Sequence, residues 1–189
     1  CAGLGGGSSD AAAVLVALNE RLGLGRSQQQ LIQLAAQVGS DVPYCVMGGT
    51  ALARGRGEIL SPLPKLPQCH AVICKPPFPV STPALFKRID SVKVVRRPDL
   101  KGMLCALAQG DLGGVARRMY NVFEDVLPRH QQAEITAIKH VFIQHGALGA
   151  CMSGTGSAVF ALFDDQKKAQ TAWEELRVRY AETFLTHTI

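Results

Sequence analysis

AGLGGGSSDAAAVLVALN, residues 2–19, sets four glycines, two serines and an aspartate directly ahead of an apolar run. Glycines let a backbone approach a ligand closely, and a helix N-terminus adds unpaired amides and partial positive charge. A run of Gly5-Gly6-Gly7-Ser8-Ser9 entering a helix therefore suits a phosphate, with a plain flexible turn as the competing reading. Two common phosphate-loop patterns do not fit. No Gly-Lys-Ser/Thr follows, and Ser8 stands where the dinucleotide fingerprint places its third glycine. Ser9 or Asp10 is placed to cap a helix over residues 11–22, which Gly23 and Gly25 end. Its side chains are apolar almost all round, so burial is expected.

Working outward, Ser27 and Gln30 form a capping box for a second helix with Leu31, Leu34, Ala35 and Val38 on one face. Gly39 stops it, and Ser40-Asp41-Val42-Pro43 follows. Asp41 there is either a local N-cap or a carboxylate aimed at a substrate hydroxyl. Residues 50–62 read as two strands around Gly55-Arg56-Gly57, and HAVICKP at 70–76 as a buried strand. Prolines at 62–67 and 76–79 mark candidate boundaries. Ser81 starts a helix through Phe86 and Lys87, and further helices are expected near 100–108, 112–120 and 131–145. GACMSGTGSAVFALF, 149–163, is a second glycine-rich turn feeding a strand, with hydroxyls at Ser153, Thr155 and Ser157. Either it faces the first loop across a cleft or it shapes a hairpin. A helix carrying Ala169, Ala172, Trp173, Leu176 and Tyr180, then a strand in TFLTHTI, close the chain. Strands and helices alternate too irregularly for repeated βαβ units, so the class is α+β.

The 189 residues, 47% of them hydrophobic, suffice for one large domain or two small ones. The longest apolar run, 11–18, is well short of the ~20 residues that span a membrane. Six cysteines, with no CxxC pair, read as reduced core thiols of a cytoplasmic protein, Cys151 among them. The net charge of +5 is dispersed and aromatic platforms are few, so neither a nucleic acid nor a membrane is expected as a partner. A polyanionic small molecule, or an ordinary solvated surface, accounts for the charge.

Three segments, 2–19, 34–58 (LAAQVGSDVPYCVMGGTALARGRGE) and 149–163, together resemble the kinase superfamily of galactokinase, homoserine kinase, mevalonate kinase and phosphomevalonate kinase. Within it, the triple glycine before Ser-Ser-Asp, coupled to Gly-Ser-Asp-Val-Pro, is similar to the 4-diphosphocytidyl-2-C-methyl-D-erythritol kinases. The resemblance covers essentially the whole chain. It implies transfer of the γ-phosphoryl of ATP, normally shielded by Mg2+, to the 2-hydroxyl of a cytidine-diphosphate-linked polyol on the non-mevalonate route to isoprenoids. By motif, Ala2, Gly3, Leu4, Gly5, Gly6, Gly7, Ser8, Ser9 and Asp10 would hold ATP, and Asp41 would be the catalytic base. Thr82 and Phe86 would line the cytidine end of the substrate site, with Gly154 and Thr155 near the transferred phosphate. No protein ligand for a metal is singled out, and the oligomeric state is left open.

The implied architecture is a remnant of a ribosomal-protein-S5-domain-2-like ATP-loop domain, residues 1–68, followed by a ferredoxin-like α/β sandwich, residues 69–189. The resemblance also implies a preceding segment of strands with a lysine partner for the aspartate. On that basis the sequence reads as the C-terminal portion of a longer protein, expected to have little activity alone and to expose a sheet edge and apolar faces. The alternatives are a homoserine- or mevalonate-type acceptor, or a non-catalytic nucleotide-binding module on the same scaffold.

Overall fold

The computed structural model describes residues 3–188; Ala2 of the expected ATP loop lies outside the described residues. Contacts divide the chain into two compact units. One is Gly5–Lys65; the other runs from Leu66 onward and includes Gly3 and Leu4.

The first unit has helices α1 (Gly6–Arg21), α2 (Gln28–Val38) and α3 (Val42–Met47), then strands β1 (Ala51–Arg54) and β2 (Ile59–Pro62). The expected capping box is present: Ser27 accepts from the Gln30 amide while Gln30 caps the Ser27 amide in return. Ala12, Ala35 and Val42 form a small core, lined by Leu15, Cys45 and Val46. β1 and β2 pair antiparallel, Arg54 opposite Ile59, so the turn falls where Gly55-Arg56-Gly57 places it.

Two expectations for α1 fail. It starts at Gly6 rather than Ala11, because Gly5 takes a left-handed conformation (φ 66°) that turns the chain into the helix and leaves Ser9 and Asp10 inside it. The apolar run is also not buried all round. Only Ala12 is buried, whereas Val14 and Leu18 are about half exposed. The one-sided contact of α1 with α2 and α3 covers a single stripe. For the same reason Leu34 and Val38 of α2 stay exposed beside buried Leu31 and Ala35.

The second unit contains β3 (His70–Cys74), α4 (Thr82–Asp90), α5 (Leu100–Ala108), α6 (Leu112–Arg118), a 3-10 turn (Val122–Val126), α7 (Arg129–Gln144), β4 (Gly149–Met152), β5 (Val159–Phe163), α8 (Gln166–Arg179) and β6 (Thr183–His187). The sheet order is β4-β5-β3-β6, every pair antiparallel. With α7 and α8 as the crossovers, this is the ferredoxin-like β-α-β-β-α-β arrangement, elaborated by α4 to α6. The period-2 alternation of β3 sends Val72 and Cys74 to one face and Ala71 to the other. The first face packs on Ile135, Ile138 and Phe142 of α7 and Ala169, Ala172 and Leu176 of α8. The second meets Ala116 of α6. Cys151 is core, and burial first, then the nearby Glu124 carboxylate, pushes its thiol up to about 12. GACMSGTGSAVFALF forms two strands and their turn, the hairpin reading of that segment.

Candidate active site

In the first unit, two helix starts lack a side-chain cap. At α1, Gly5 has no side chain to offer, and the leading amides of any α-helix have no acceptor within it. Ser9 Oγ does not compensate, since it donates back to the Gly6 carbonyl at 2.8 Å. Around Gly5, Gly6 and Gly7, apart from the neighbouring backbone of the helix itself, no heavy atom of the described residues stands within 4 Å of where a β-carbon would lie, so the helix start is open. Ser8 is half-buried, while Ser9 and Asp10 are exposed on the helix.

At α3 the N-cap position is Asp41, yet its side chain accepts no capping hydrogen bond. Pro43 stands in the first turn and carries no amide hydrogen, which removes one of the two donors an N-cap normally takes. The Asp41 backbone is itself helical (φ −92°, ψ −12°) instead of extended. Its carboxylate is exposed, and a β-carbon on Gly57 would sit 3.6 Å from Oδ1. The charge is felt locally: desolvation, and then Asp41, push the Cys45 thiol up. Val42 packs in one cluster with Ala12, which places Asp41 on the segment that meets the N-terminal half of α1.

The second unit gathers the rest. Gly3 has φ 74°, and a β-carbon on it would lie 2.1 Å from the Ser153 carbonyl oxygen, so only glycine fits there. Ser153 Oγ donates to the Gly3 carbonyl at 2.6 Å. Gly154 lies beside Gly3, and Thr155 Oγ1 shares a 2.8 Å hydrogen bond with Thr82 Oγ1 at the start of α4. Phe86, one helical turn beyond Thr82, is half exposed and meets Phe123 edge-on, with centroids 5.0 Å apart. Leu4 is exposed. Thus Gly3, Gly154, Thr155 and Thr82 are brought together, with Phe86 on the same helix. Ser157 is instead fully buried and donates to the Pro76 carbonyl, a structural role.

Sequence reasoning missed Asn121 and Glu124, which bond the backbone on either side of Ser153. Asn121 precedes a short turn and reads only as a cap, and Glu124 belongs to no recognisable motif. Among the described residues, no three His, Cys, Asp or Glu side chains converge as metal ligands. None of the described helices is long and apolar enough to cross a membrane.

The N-terminal domain model of the GHMP kinases matches residues 1–49, and the GHMP kinases C-terminal model matches residues 103–182. The chain is 45% identical over 187 residues to the 4-diphosphocytidyl-2-C-methyl-D-erythritol kinase of Lachnoclostridium phytofermentans, covering 98% of this chain and 64% of that protein. It is 42% identical over 189 residues to the same-named protein of Clostridium novyi, covering 100% of this chain and 67% of that one. A crystal structure of 4-(cytidine 5'-diphospho)-2C-methyl-D-erythritol kinase superposes with a TM-score of 0.80 at 34% identity, covering 98% of this chain and 66% of the other. The chain thus spans roughly two thirds of the length of the relatives it matches. Matched in order by both GHMP models, and 42% identical to a relative of which it covers 67%, the chain belongs to the 4-diphosphocytidyl-2-C-methyl-D-erythritol kinase family of GHMP kinases.

Proposed function

We propose that the chain carries the ATP loop and the base for phosphorylation of the 2-hydroxyl of 4-(cytidine 5'-diphospho)-2-C-methyl-D-erythritol. The observation that carries this reading is the pair of uncapped helix starts in one unit: the open amides of α1 and the unengaged carboxylate of Asp41, joined by the packing of Ala12 and Val42. Phosphoryl transfer asks the protein for positioning and for charge stabilisation on the phosphoryl oxygens. The amides of Gly6, Gly7 and Ser8 supply donors and partial positive charge to the phosphates of ATP. Asp41 accepts the proton of the attacking hydroxyl as it bonds to phosphorus, and ADP leaves. The described residues offer no cluster of metal ligands, so magnesium would be held chiefly by the phosphates of the nucleotide and would supply shielding of their charge. Thr82, Phe86, Gly154 and Thr155 receive the cytidine end and the phosphate end of the acceptor. The half-exposed Phe86 ring offers a face on which a pyrimidine can stack.

On this reading residues 1–68 are the ATP-binding part, residues 69–189 the C-terminal kinase domain, and the enzyme is cytoplasmic. The test is a coupled assay of ADP release by the full-length gene product, with the cytidylated polyol, homoserine and mevalonate offered in parallel. Turnover confined to the cytidylated polyol, abolished in Asp41→Asn while ATP still binds, is the expected result. Turnover with homoserine or mevalonate instead moves the acceptor assignment. ATP binding without turnover of any acceptor points to a non-catalytic module.

A further inference from the structure

The turn at 153–157 touches both ends of the second unit's candidate site. Ser153 holds the Gly3 carbonyl and Thr155 holds Thr82. Its own backbone is fixed from below by two side chains of the 121–126 segment. Asn121 Nδ2 donates to the Met152 carbonyl at 2.9 Å and to the Gly154 carbonyl at 2.7 Å, while Asn121 Oδ1 accepts from the Phe123 amide at 3.0 Å. Glu124 Oε1 accepts from the Met152 amide at 2.8 Å. The other carboxylate oxygen is held by Lys139 Nζ of α7 at 2.6 Å, in a pair whose Glu124 side chain is 15% exposed. The Glu124 carbonyl in turn accepts from Gln132 of the same helix. Every polar atom of the Asn121 amide and the Glu124 carboxylate is thus committed to the backbone of the turn, to its own cap or to α7.

We infer that Asn121 and Glu124 are positioning residues: a two-point clamp that fixes the height of the 153–155 turn, so that Ser153 and Thr155 hold the nucleotide loop at Gly3 and the acceptor end at Thr82 in one register. The inference rests on the kinase reading above for its consequence in turnover, but not for the clamp itself. The hydrogen bonds of these two side chains reach the residues assigned to ATP or acceptor at the Gly154 carbonyl, so the effect is on geometry. A misplacement of about 1 Å in such a framework costs on the order of 100-fold in turnover.

Asn121→Asp separates the clamp from the cap. An aspartate still accepts from the Phe123 amide, but it turns a carboxylate oxygen toward two carbonyls that need a donor. In the full-length protein, the expected result is a fall in kcat of about 100-fold with a fall in melting temperature of a few degrees from the two carbonyls left without a donor. Amide hydrogen exchange at residues 153–157 and Gly3 should accelerate while the sheet is unaffected. Glu124→Leu should lower kcat similarly but also lower the melting temperature, because it leaves the part-buried Lys139 without its partner, whereas Glu124→Gln, which keeps an acceptor for the Met152 amide but loses the ion pair, should recover turnover more than stability. Wild-type exchange at 153–157 in Asn121→Asp, or kcat losses that follow melting temperature alike through Asp, Leu and Gln, would overturn the clamp. If the wild-type protein turns over no acceptor, the functional reading fails, and the exchange measurement still decides the clamp by itself.

Discussion

Among the described residues four helices begin at an aspartate, and one of the four behaves differently. Asp99, Asp111 and Asp165, at the starts of α5, α6 and α8, accept the amides of Gly102, Gly114 and Lys168 at 2.8–3.0 Å. Asp41, at the start of α3, accepts none. The backbone explains this, with ψ between 73° and 127° at the three capping residues and −12° at Asp41. Pro43 deletes only the second-position donor; the three caps use the third position, and Ser81 caps α4 with Pro83 in the same place, so the helical backbone at Asp41 is the deciding difference. The same residue type is therefore spent on helix capping in one region and left without a capping bond in another. The difference lies in the backbone conformation at the aspartate, not in the residue type.

The sharpest way to break this comparison is to mutate both kinds of aspartate and read two quantities. Asp41→Asn should lower kcat by about 10²- to 10⁴-fold, the range for removal of a general base. Its unfolding free energy should stay within about 0.5 kcal/mol, as for a surface substitution that breaks no bond. Urea unfolding and ADP release on one preparation check both. A stability loss of the size a lost cap produces, with turnover intact, would make Asp41 an ordinary helix start.

Next in size is a contrast between glycines of the same loop. Gly3→Ala puts a β-carbon into the Ser153 carbonyl at a positive φ, and should cost more than about 1 kcal/mol. Gly6→Ala, in open space on a helix, should raise stability by a few tenths to about 1 kcal/mol. If the α1 amides bind phosphate as proposed, Gly6→Ala should also weaken ATP binding, because the new methyl group stands over the helix start. Calorimetric titration with ATP measures that, and unchanged affinity would remove the phosphates from this helix start.

Much of this was legible in the sequence, for physical reasons that can be named. Capping chemistry marked α2 through Ser27 and Gln30 and α4 through Ser81, because those signals are local. The Gly55-Arg56-Gly57 turn and the spacing of Ala169, Ala172 and Leu176 were legible for the same reason. What failed was tertiary. The burial of Val14 and Leu18 depends on what packs against α1, which periodicity does not encode. The start of α1 depended on Gly5 adopting a left-handed conformation, which a glycine run permits at any of its members. Among the candidate residues, Asp41, Thr82 and Thr155 stood out through the family resemblance, while the contact of Ser153 with Gly3 joins residues 150 apart in sequence and left no local trace. Asn121 was invisible because its capping bond is common and its clamp is not.

Asp111→Ala serves as the capped counterpart of Asp41→Asn. It removes the acceptor of the part-buried Gly114 amide and should cost about 1 kcal/mol, within the range for N-cap loss. Thermal melts should show it as a shift of a few degrees, with kcat within about twofold of wild type. A cost near zero would mean that water replaces the carboxylate, and would blur the line drawn between the two kinds of aspartate.

The smallest effect is a pH dependence, and its sign follows from the caps. Amide bonds, chiefly from Gly102 to Asp99 and from Lys168 to Asp165, hold both carboxyls below their ordinary value of 3.8. A carboxyl depressed on folding contributes stability that is fully present above its unfolded pKa and is lost as pH falls through its folded one. Stability should therefore decline from just above the ordinary carboxylate range downward. Asp165→Asn, which still caps but does not titrate, should flatten that decline without changing stability near neutrality. Both groups are exposed, so the difference is small and is best read as a change in slope of the urea midpoint between about pH 5 and pH 3. An acid slope identical in wild type and Asp165→Asn would show that the cap survives protonation, with the neutral carboxyl still accepting from the Lys168 amide. The distinction between capping and free aspartates would then rest on geometry alone.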